Sequence, residues 1–326
     1  MELLKKLAQA DGVSGSENEI REVIISEIKE LCDEYSTDAM GNLIAHKKGK
    51  GKKVMLAAHM DEIGVMVTHI DENGFARFSA VGGLYTRELV HRRVRFQNGT
   101  IGIIGSEEEE FNKKPDIRRL YIDLGAENES EAKKLVNIGD TAVFEGETLK
   151  SGNRIISKAL DNRAGCYMLI KAMKKLKRNK NDLYFVFTTQ EEVGLRGARA
   201  AAYSIDPDYA IAVDVTDTGD TPECDVMEVK LGKGAAIKVM DRSVICDADV
   251  RELMIETAKK ARIAYQLEIM ADGGTDAGAV HLTRAGIKTG GISLPTRYVH
   301  SPAEMADMRD LKACCSLLAK VADAFE

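Results

Sequence analysis

Residues 54–61 read Val54-Met55-Leu56-Ala57-Ala58-His59-Met60-Asp61, five apolar residues in a row that deliver a histidine and an aspartate. A continuous apolar run of this length is the pattern of a strand buried on both faces, and such strands belong to sheets covered by helices. Two further runs repeat the arrangement. Leu183-Tyr184-Phe185-Val186-Phe187-Thr188-Thr189 opens onto Gln190-Glu191-Glu192, and Ala210-Ile211-Ala212-Val213 opens onto Asp214. Helix-covered sheets collect ligands beyond the carboxyl ends of their strands, so His59, Asp61, Glu191, Glu192 and Asp214 are expected along one edge.

Upstream of this run, Ser16 and Glu19 have the spacing of a capping box, followed by Ile20, Val23, Ile24, Ile28 and Leu31 at helical intervals. A strand is expected at 42–46. Between about 64 and 152 helical periodicity gives way to short β-like runs separated by turn signals. Asp71-Glu72-Asn73-Gly74 parts 64–70 from 75–81, and Asn98-Gly99 parts 94–96 from 100–104, which predicts two hairpins. One helix is expected there, at 127–136, and the acidic run 107–110 reads as a solvated loop; the stretch 106–114 matches no assignable pattern. After 155, strand and helix alternate: helix 163–177, strand 183–189, helix 194–203, strand 209–213, helix 249–262, strands 266–270 and 287–293, and helix 307–325. Alternation predicts an α/β sheet with parallel connections. Its first strands precede the β unit and the rest follow it, so the simplest organisation is one domain made of 1–64 and 154–326, interrupted by a β-rich insert at 65–153.

Length and composition are those of a folded chain of about two domains. The 326 residues are 44% hydrophobic, with 28 glycines and 5 prolines, which excludes disorder and collagen-like repeats. Lys and Arg total 46 against 52 Asp and Glu, a net charge of −6 that invites neither a nucleic-acid backbone nor an anionic membrane. Trp is absent, leaving little material for base-stacking platforms. The first residues lack an apolar signal core and no window reaches 18 apolar residues, so a cytoplasmic location is expected. Cys32, Cys166, Cys224, Cys246, Cys314 and Cys315 show no C-x-x-C spacing and read as reduced packing residues.

Asp161, at the mouth of the helix that begins near 163, and His300, in Arg297-Tyr298-Val299-His300-Ser301-Pro302, join the strand-end residues as candidates. Taken singly, an aspartate before a helix is an N-cap and a Glu-Glu pair is solvated. Converging on one edge, their like charges would repel and draw protons unless a cation offset them, which makes a metal site the economical account. Side chains two apart on an extended segment share a face, so Asp61 is placed to orient the His59 imidazole. Adjacent Glu191 and Glu192 point in different directions, so one is free for proton transfer. Nitrogen and oxygen ligands without thiolate suit zinc, cobalt or manganese, and the carboxylate surplus suits two ions bridged by an aspartate.

His59-Met60-Asp61-Glu62-Ile63-Gly64, Ala159-Leu160-Asp161-Asn162-Arg163, Thr189-Gln190-Glu191-Glu192-Val193-Gly194, Val213-Asp214, Gly273-Gly274-Thr275-Asp276-Ala277 and the His300 block resemble, in the same order, the signature blocks of the glutamyl and tetrahedral aminopeptidase family. The likeness spans almost the whole chain, including Leu120-Tyr121-Ile122-Asp123-Leu124-Gly125-Ala126 and Ile138-Gly139-Asp140 of the insert. It implies a metallo-exopeptidase fold with two divalent ions per subunit, zinc or cobalt, with manganese also compatible. His59 and Asp214 would hold one ion, Glu192 and His300 the other, and Asp161 would bridge them. Glu191 would be the general base and Asp61 its companion behind His59. The substrates implied are short peptides, shortened from the amino terminus by metal-activated water. The insert would pair subunits into dimers that assemble into a hollow tetrahedral dodecamer. Gly273 to Asp276 would wall the substrate site, or simply begin a helix with Asp276 in its first turn.

Two other classes compete. A glycosidase, a reading encouraged by family members that carry the name endoglucanase, needs two carboxylates flanking a sugar bond and would leave the histidines idle. A non-catalytic assembly subunit with structural metal needs no free carboxylate such as Glu191. His46, His69, His91 and His281 fall outside the motifs and read as structural.

Overall fold

Residues 1–107, 116–176 and 178–326 are described by the computed structural model, so the predicted loop at 107–110 and the stretch 106–114 lie, beyond Glu107, outside the described residues. The chain opens with α1 (Glu2–Gln9) and α2 (Asn18–Ile28), then lays down β1 (Glu34–Thr37), β2 (Leu43–Lys47) and β3 (Lys53–His59). The next six strands, β4 (Gly64–Ile70), β5 (Ala76–Val81), β6 (Arg93–Phe96), β7 (Ile101–Ser106), β8 (Leu120–Asp123) and β9 (Thr141–Phe144), close into a barrel, with α3 (Glu129–Leu135) beside it. The chain then returns through β10 (Leu149–Ser151), β11 (Arg154–Ser157), α4 (Leu160–Lys175), β12 (Asp182–Thr188), α5 (Arg196–Ile205) and β13 (Tyr209–Thr216). It ends in β14 (Ala235–Met240), α6 (Ala248–Ala261), β15 (Tyr265–Ile269), α7 (Ala277–Val280), β16 (Lys288–Arg297), β17 (Glu304–Asp307) and α8 (Met308–Val321).

Outside the barrel, eleven strands among the described residues form one sheet in the order β1-β2-β12-β3-β13-β16-β17-β11-β10, with β14 attached to β16 and β15 to β14. The three apolar runs are its centre: β12, β3, β13 and β16 run parallel, and β3 is buried from Val54 to His59. The flanks are antiparallel apart from the β14–β15 pair, so the sheet is mixed and the parallel connections expected from alternation hold only in the middle.

Both faces of the sheet are covered. On one, Leu56, Ala58, Phe185, Phe187, Val213 and Ile292 pack with Met168, Leu169 and Met173 of α4 and Leu317 and Leu318 of α8. On the other, Met55, Ala57 and Val186 meet Ala198, Ala201 and Ala202 of α5. Each large side chain so buried contributes about 1.5–3 kcal/mol. The barrel has its own core, with Val65, Val67, Phe78, Val94, Phe96, Ile104, Ile122 and Phe144 inside. The architecture is thus the expected helix-covered α/β sheet with an inserted small β unit.

Several details depart from expectation. The Ser16–Glu19 capping box does not form: α2 has Glu17 at its N-cap position and no side-chain cap. Glu17 instead accepts the N–H groups of Gly15 (2.7 Å) and Gln190 (3.3 Å), so the turn after β12 has recruited it. Strands β1, β10, β11, β14 and β17 were not anticipated, because they are short or lack an apolar run. Helix α4 begins at Leu160, but Asp161 and Asn162 have non-helical dihedral angles inside it. The six cysteines are free. His46 lies between Glu34 and Asp182, at 2.8 Å from each, away from the strand-end residues. No helix among the described residues is long and apolar enough to cross a membrane.

Candidate active site

Parallel register sets the site. Thr188 of β12 lies beside His59 of β3, and Ala212 of β13 beside Ala57, so the three strands deliver His59, the 190–192 turn and Asp214 to the same edge. Asp161 comes from the non-helical start of α4, and His300 from the segment joining β16 to β17.

Two groups of three result. His59, Asp161 and Asp214 place a ligand atom each within 4.8 Å of one another, and so do Asp161, Glu192 and His300. Asp161 belongs to both. Its Oδ1 lies 3.0 Å from His59 Nε2 and its Oδ2 lies 3.3 Å from His300 Nε2, so its two oxygens serve opposite halves. Asp214 Oδ1 is 3.6 Å from His59 Nε2, and Glu192 Oε2 is 3.3 Å from His300 Nε2. Glu191 stands outside both groups with Oε2 at 3.8 Å from His59 Nε2, while its neighbour Glu192 turns toward His300.

Asp61 sits behind these residues and is fully buried. The contact expected with His59 is made chiefly by its backbone, since His59 Nδ1 is 3.1 Å from the Asp61 carbonyl oxygen and 3.5 Å from the carboxylate. The carboxylate accepts the hydroxyl of Ser14 (2.6 Å) and the N–H groups of Glu191 (3.1 Å) and Glu192 (3.3 Å). Asp61 therefore holds the turn on which both glutamates ride.

The electrostatics are those of a site short of positive charge. Burial disfavours the His59 imidazolium, yet Glu191, Asp161, Asp214 and Asp61 outweigh it and hold the ring well above its ordinary value. Burial opposes protonation of His300 too, and Asp161 and Glu192 nevertheless push it up to about 12. Burial drives Glu191 well above the usual carboxylate range, with His59 opposing and Asp214, Asp276 and Glu192 adding to the rise. It also raises Glu192 and Asp214. Asp161 moves the other way: burial is overcome by its hydrogen bonds to His300 and His59.

These residues fit divalent cations on three observations. The donors are nitrogen and oxygen only, the carboxylates outnumber the histidines, and Glu192 Oε1 is buried without a hydrogen-bond partner among the described residues. Space is kept open beside them. Gly82, at φ +84°, and Gly83 lie past β5 of the barrel, where a Cβ would come 3.0 Å from Glu192 Oε2 and 3.1 Å from His300 Nδ1. A cavity of about 460 Å³ opens over the cluster, walled by Tyr85, Leu195, Val215, Met270 and Val299 and by Gly273 and Gly274. A larger groove of about 840 Å³ runs between α6 and the last residues of the chain, and among the described residues it holds no such cluster.

Two further carboxylates stand here, and of these only Glu304 lies outside the motifs read from the sequence. Asp276, expected in the substrate wall or in the first turn of a helix, precedes α7 and makes no cap bond; its Oδ2 accepts the Thr188 hydroxyl (2.5 Å) and burial lifts it to about 7. Glu304 accepts the N–H of Asp161 (2.9 Å) and of His300 (3.0 Å). Its only signal was its place four residues after His300.

With this geometry in view, comparison with known proteins is informative. A family model described as M42 glutamyl aminopeptidase matches residues 41–317. A putative aminopeptidase of Acetivibrio thermocellus is 59% identical over 318 residues, covering 97% of this chain and 96% of the relative. Among solved structures, aminopeptidase APDkam598 of the archaeon Desulfurococcus kamchatkensis superposes with a TM-score of 0.95 at 39% identity, over 99% of this chain and 94% of the other. The Pyrococcus horikoshii TET1 peptidase, described as able to assemble into a tetrahedron or a large octahedral shell, gives 0.90 at 38% identity and covers 98% of both chains.

Proposed function

The chain belongs to the M42 glutamyl aminopeptidase family and is an aminopeptidase, and from that premise we propose that His59 and Asp214 hold one divalent ion, Glu192 and His300 a second, and Asp161 both. The observation that carries this reading is the sharing of Asp161 between two three-residue groups. Zinc or cobalt suits the donors, and manganese is compatible. When bound, such ions lower the pKa of a water and polarise a carbonyl oxygen.

The rest is work for the chain's own side chains. Glu191, close to the cluster yet outside both groups, accepts the proton of the attacking water and returns it to the departing amine; burial raises its proton affinity well above that of an ordinary carboxylate. Asp61 keeps the Glu191–Glu192 turn in place through its two backbone bonds. As an aminopeptidase it takes an unblocked amino terminus, which confines cleavage to the first residue of a peptide. Outside the cluster the charged residues lining the cavity are Asp217 and Asp272, and no Lys or Arg lines it among the described residues. Apolar walls with carboxylates suit the aliphatic stem and cationic head of an N-terminal Lys or Arg.

The discontinuous unit 1–64 with 154–326 carries the chemistry in this reading, and the insert at 65–153 pairs subunits into dimers and onward into a tetrahedral dodecamer. Exposed Ile101 and Ile103 on the outer face of β7 support a role for the barrel in self-association. A cytoplasmic location accords with it. A glycosidase is not favoured, since the histidines engage the carboxylates that it would need free.

The test is hydrolysis of basic, aliphatic and acidic aminoacyl chromogenic amides, an amino-blocked control and soluble cellulose, after chelation and after adding back zinc, cobalt or manganese. Metal-dependent release from free-amino substrates, fastest with Lys or Arg and slowest with Glu by about tenfold or more in kcat/KM, is expected, the margin set by solvent-exposed charge pairs of at most about 1 kcal/mol each. Cleavage of cellulose or of blocked peptides would refute the reading.

A further inference from the structure

We infer that Glu304 is a positioning residue that fixes Asp161 and His300 relative to each other in the group they share with Glu192, an inference that rests on the two-ion reading above. Glu304 opens β17 and stands opposite Ser157, the last residue of β11. The chain leaving β11 reaches Asp161 four residues later, and the chain entering β17 has just passed His300. Strand pairing thus puts one buried carboxylate between the two segments that carry Asp161 and His300.

Both of its oxygens are committed, Oε2 to the Asp161 N–H at 2.9 Å and Oε1 to the His300 N–H at 3.0 Å. The residue is 2% exposed. Neither donor has a regular partner in a ladder or helix. Asp161 has dihedral angles of −78° and 106° within the first turn of α4, and His300 is left-handed at φ 63°. Tyr298 (φ 61°) and Ala159 (φ 52°) flank them in the same region. Left-handed backbone at non-glycine residues costs roughly 1–2 kcal/mol each and persists only where the surroundings over-determine it. Hydrogen bonds from two such segments to one buried acceptor supply that constraint.

The consequence is specific to the half of the cluster that needs both segments. Asp161 and His300 meet in one group, with Glu192 as its third member. His59 and Asp214, in the other group, come from β3 and β13 and are held by pairing of their strands with β12 at Thr188 and with β16 at Ser293. Loosening Glu304 should therefore weaken one ion far more than the other. A glutamine is the same size but sets an N–H₂ donor against one backbone N–H, so Glu304→Gln breaks one tie without opening a cavity.

The experiment is titration of the metal-stripped protein with Co²⁺, followed by the visible absorption of the bound ion, alongside thermal melting of the stripped protein and steady-state kinetics. Wild type should take up two equivalents. Glu304→Gln should bind the first as wild type does and the second 10- to 100-fold more weakly, the range for losing a partner that orients a ligand, with kcat reduced and KM little changed. Glu304→Asp, which keeps the carboxyl group but is one methylene too short to reach both N–H groups, should give the same pattern, and it decides the matter should the Gln variant not fold. Two equivalents bound at wild-type affinity by the variants, with only a lower melting temperature, would reduce Glu304 to a structural residue and overturn the inference. A single equivalent bound by wild type would instead overturn the two-ion reading, and the inference with it.

Discussion

Two buried charge clusters lie next to each other in the chain, and they are built on opposite terms. Glu62 follows Asp61, and Lys158 and Arg163 bracket Asp161. In the first cluster Arg163, with no solvent exposure, donates to the Glu62 carboxylate (2.9 Å) and to the carbonyl oxygens of Met60 (2.8 Å), Leu7 (2.6 Å) and Ala10 (2.6 Å). Lys158 closes on the other Glu62 oxygen at 2.7 Å. One carboxylate meets two cations and their partners are protein atoms. In the second cluster Asp61, Asp161, Glu191, Glu192 and Asp214 gather round two histidines, and Glu192 Oε1 has no partner among the described residues. The closed cluster ties α1, the segment after β3 and α4 together. The open one needs cations that the chain does not supply, and that shortage is what equips it for chemistry.

The contrast predicts opposite phenotypes. The largest effect on turnover should come from the open cluster: Glu191→Gln is expected to lower kcat by about 10²- to 10⁴-fold, the usual contribution of a general base, with metal content and melting temperature kept. Metal analysis and kinetics on the same preparation would show it, and wild-type turnover would remove Glu191 from the role. Arg163→Met should reverse the pattern. Removing one partner of a buried pair costs about 3–5 kcal/mol, and here it also strips three carbonyl oxygens of their donor. Urea unfolding should show that loss, while kcat per metal-loaded subunit stays near wild type. A variant as stable as wild type would mean that the closed cluster is not what holds these segments together.

How much of this could be read in advance follows the same division. The strand ends were legible because apolar runs such as 54–58 and 183–187 must be buried and deliver whatever follows them to one edge. The barrel was legible only as hairpins, since closure depends on pairings such as β6 with β9, which no local signal encodes. Edge strands such as β1, whose four residues are all exposed, leave no hydrophobic trace. Glu304 was illegible for a different reason. Its partner Asp161 is 143 residues away and is engaged through a backbone N–H, a group that every residue other than proline carries and no motif advertises. Asp61 shows the partial case: its proximity to His59 followed from spacing, but its larger task, gripping the backbone of the 191–192 turn, did not.

The smallest effect is also the most direct test of the shortage of positive charge. In the metal-stripped protein His300 takes a proton up to about 12, against 6.5 in the unfolded chain, because Asp161 and Glu192 face it; His59 is raised as well. A group whose folded value is raised lends stability that is complete below its unfolded value and fades as pH rises toward the folded one. The stripped protein should therefore melt at progressively lower temperature from about pH 7 to pH 9, each proton contributing at most about 1.4 kcal/mol per pH unit. Divalent ions supply the same charge without a proton and require neutral histidine, so the loaded protein should show a flat or rising profile over that range, and metal uptake should release protons. Parallel melting curves for stripped and loaded protein would mean that the histidines do not stand in for the cations, and the distinction between the open and the closed cluster would lose its electrostatic basis.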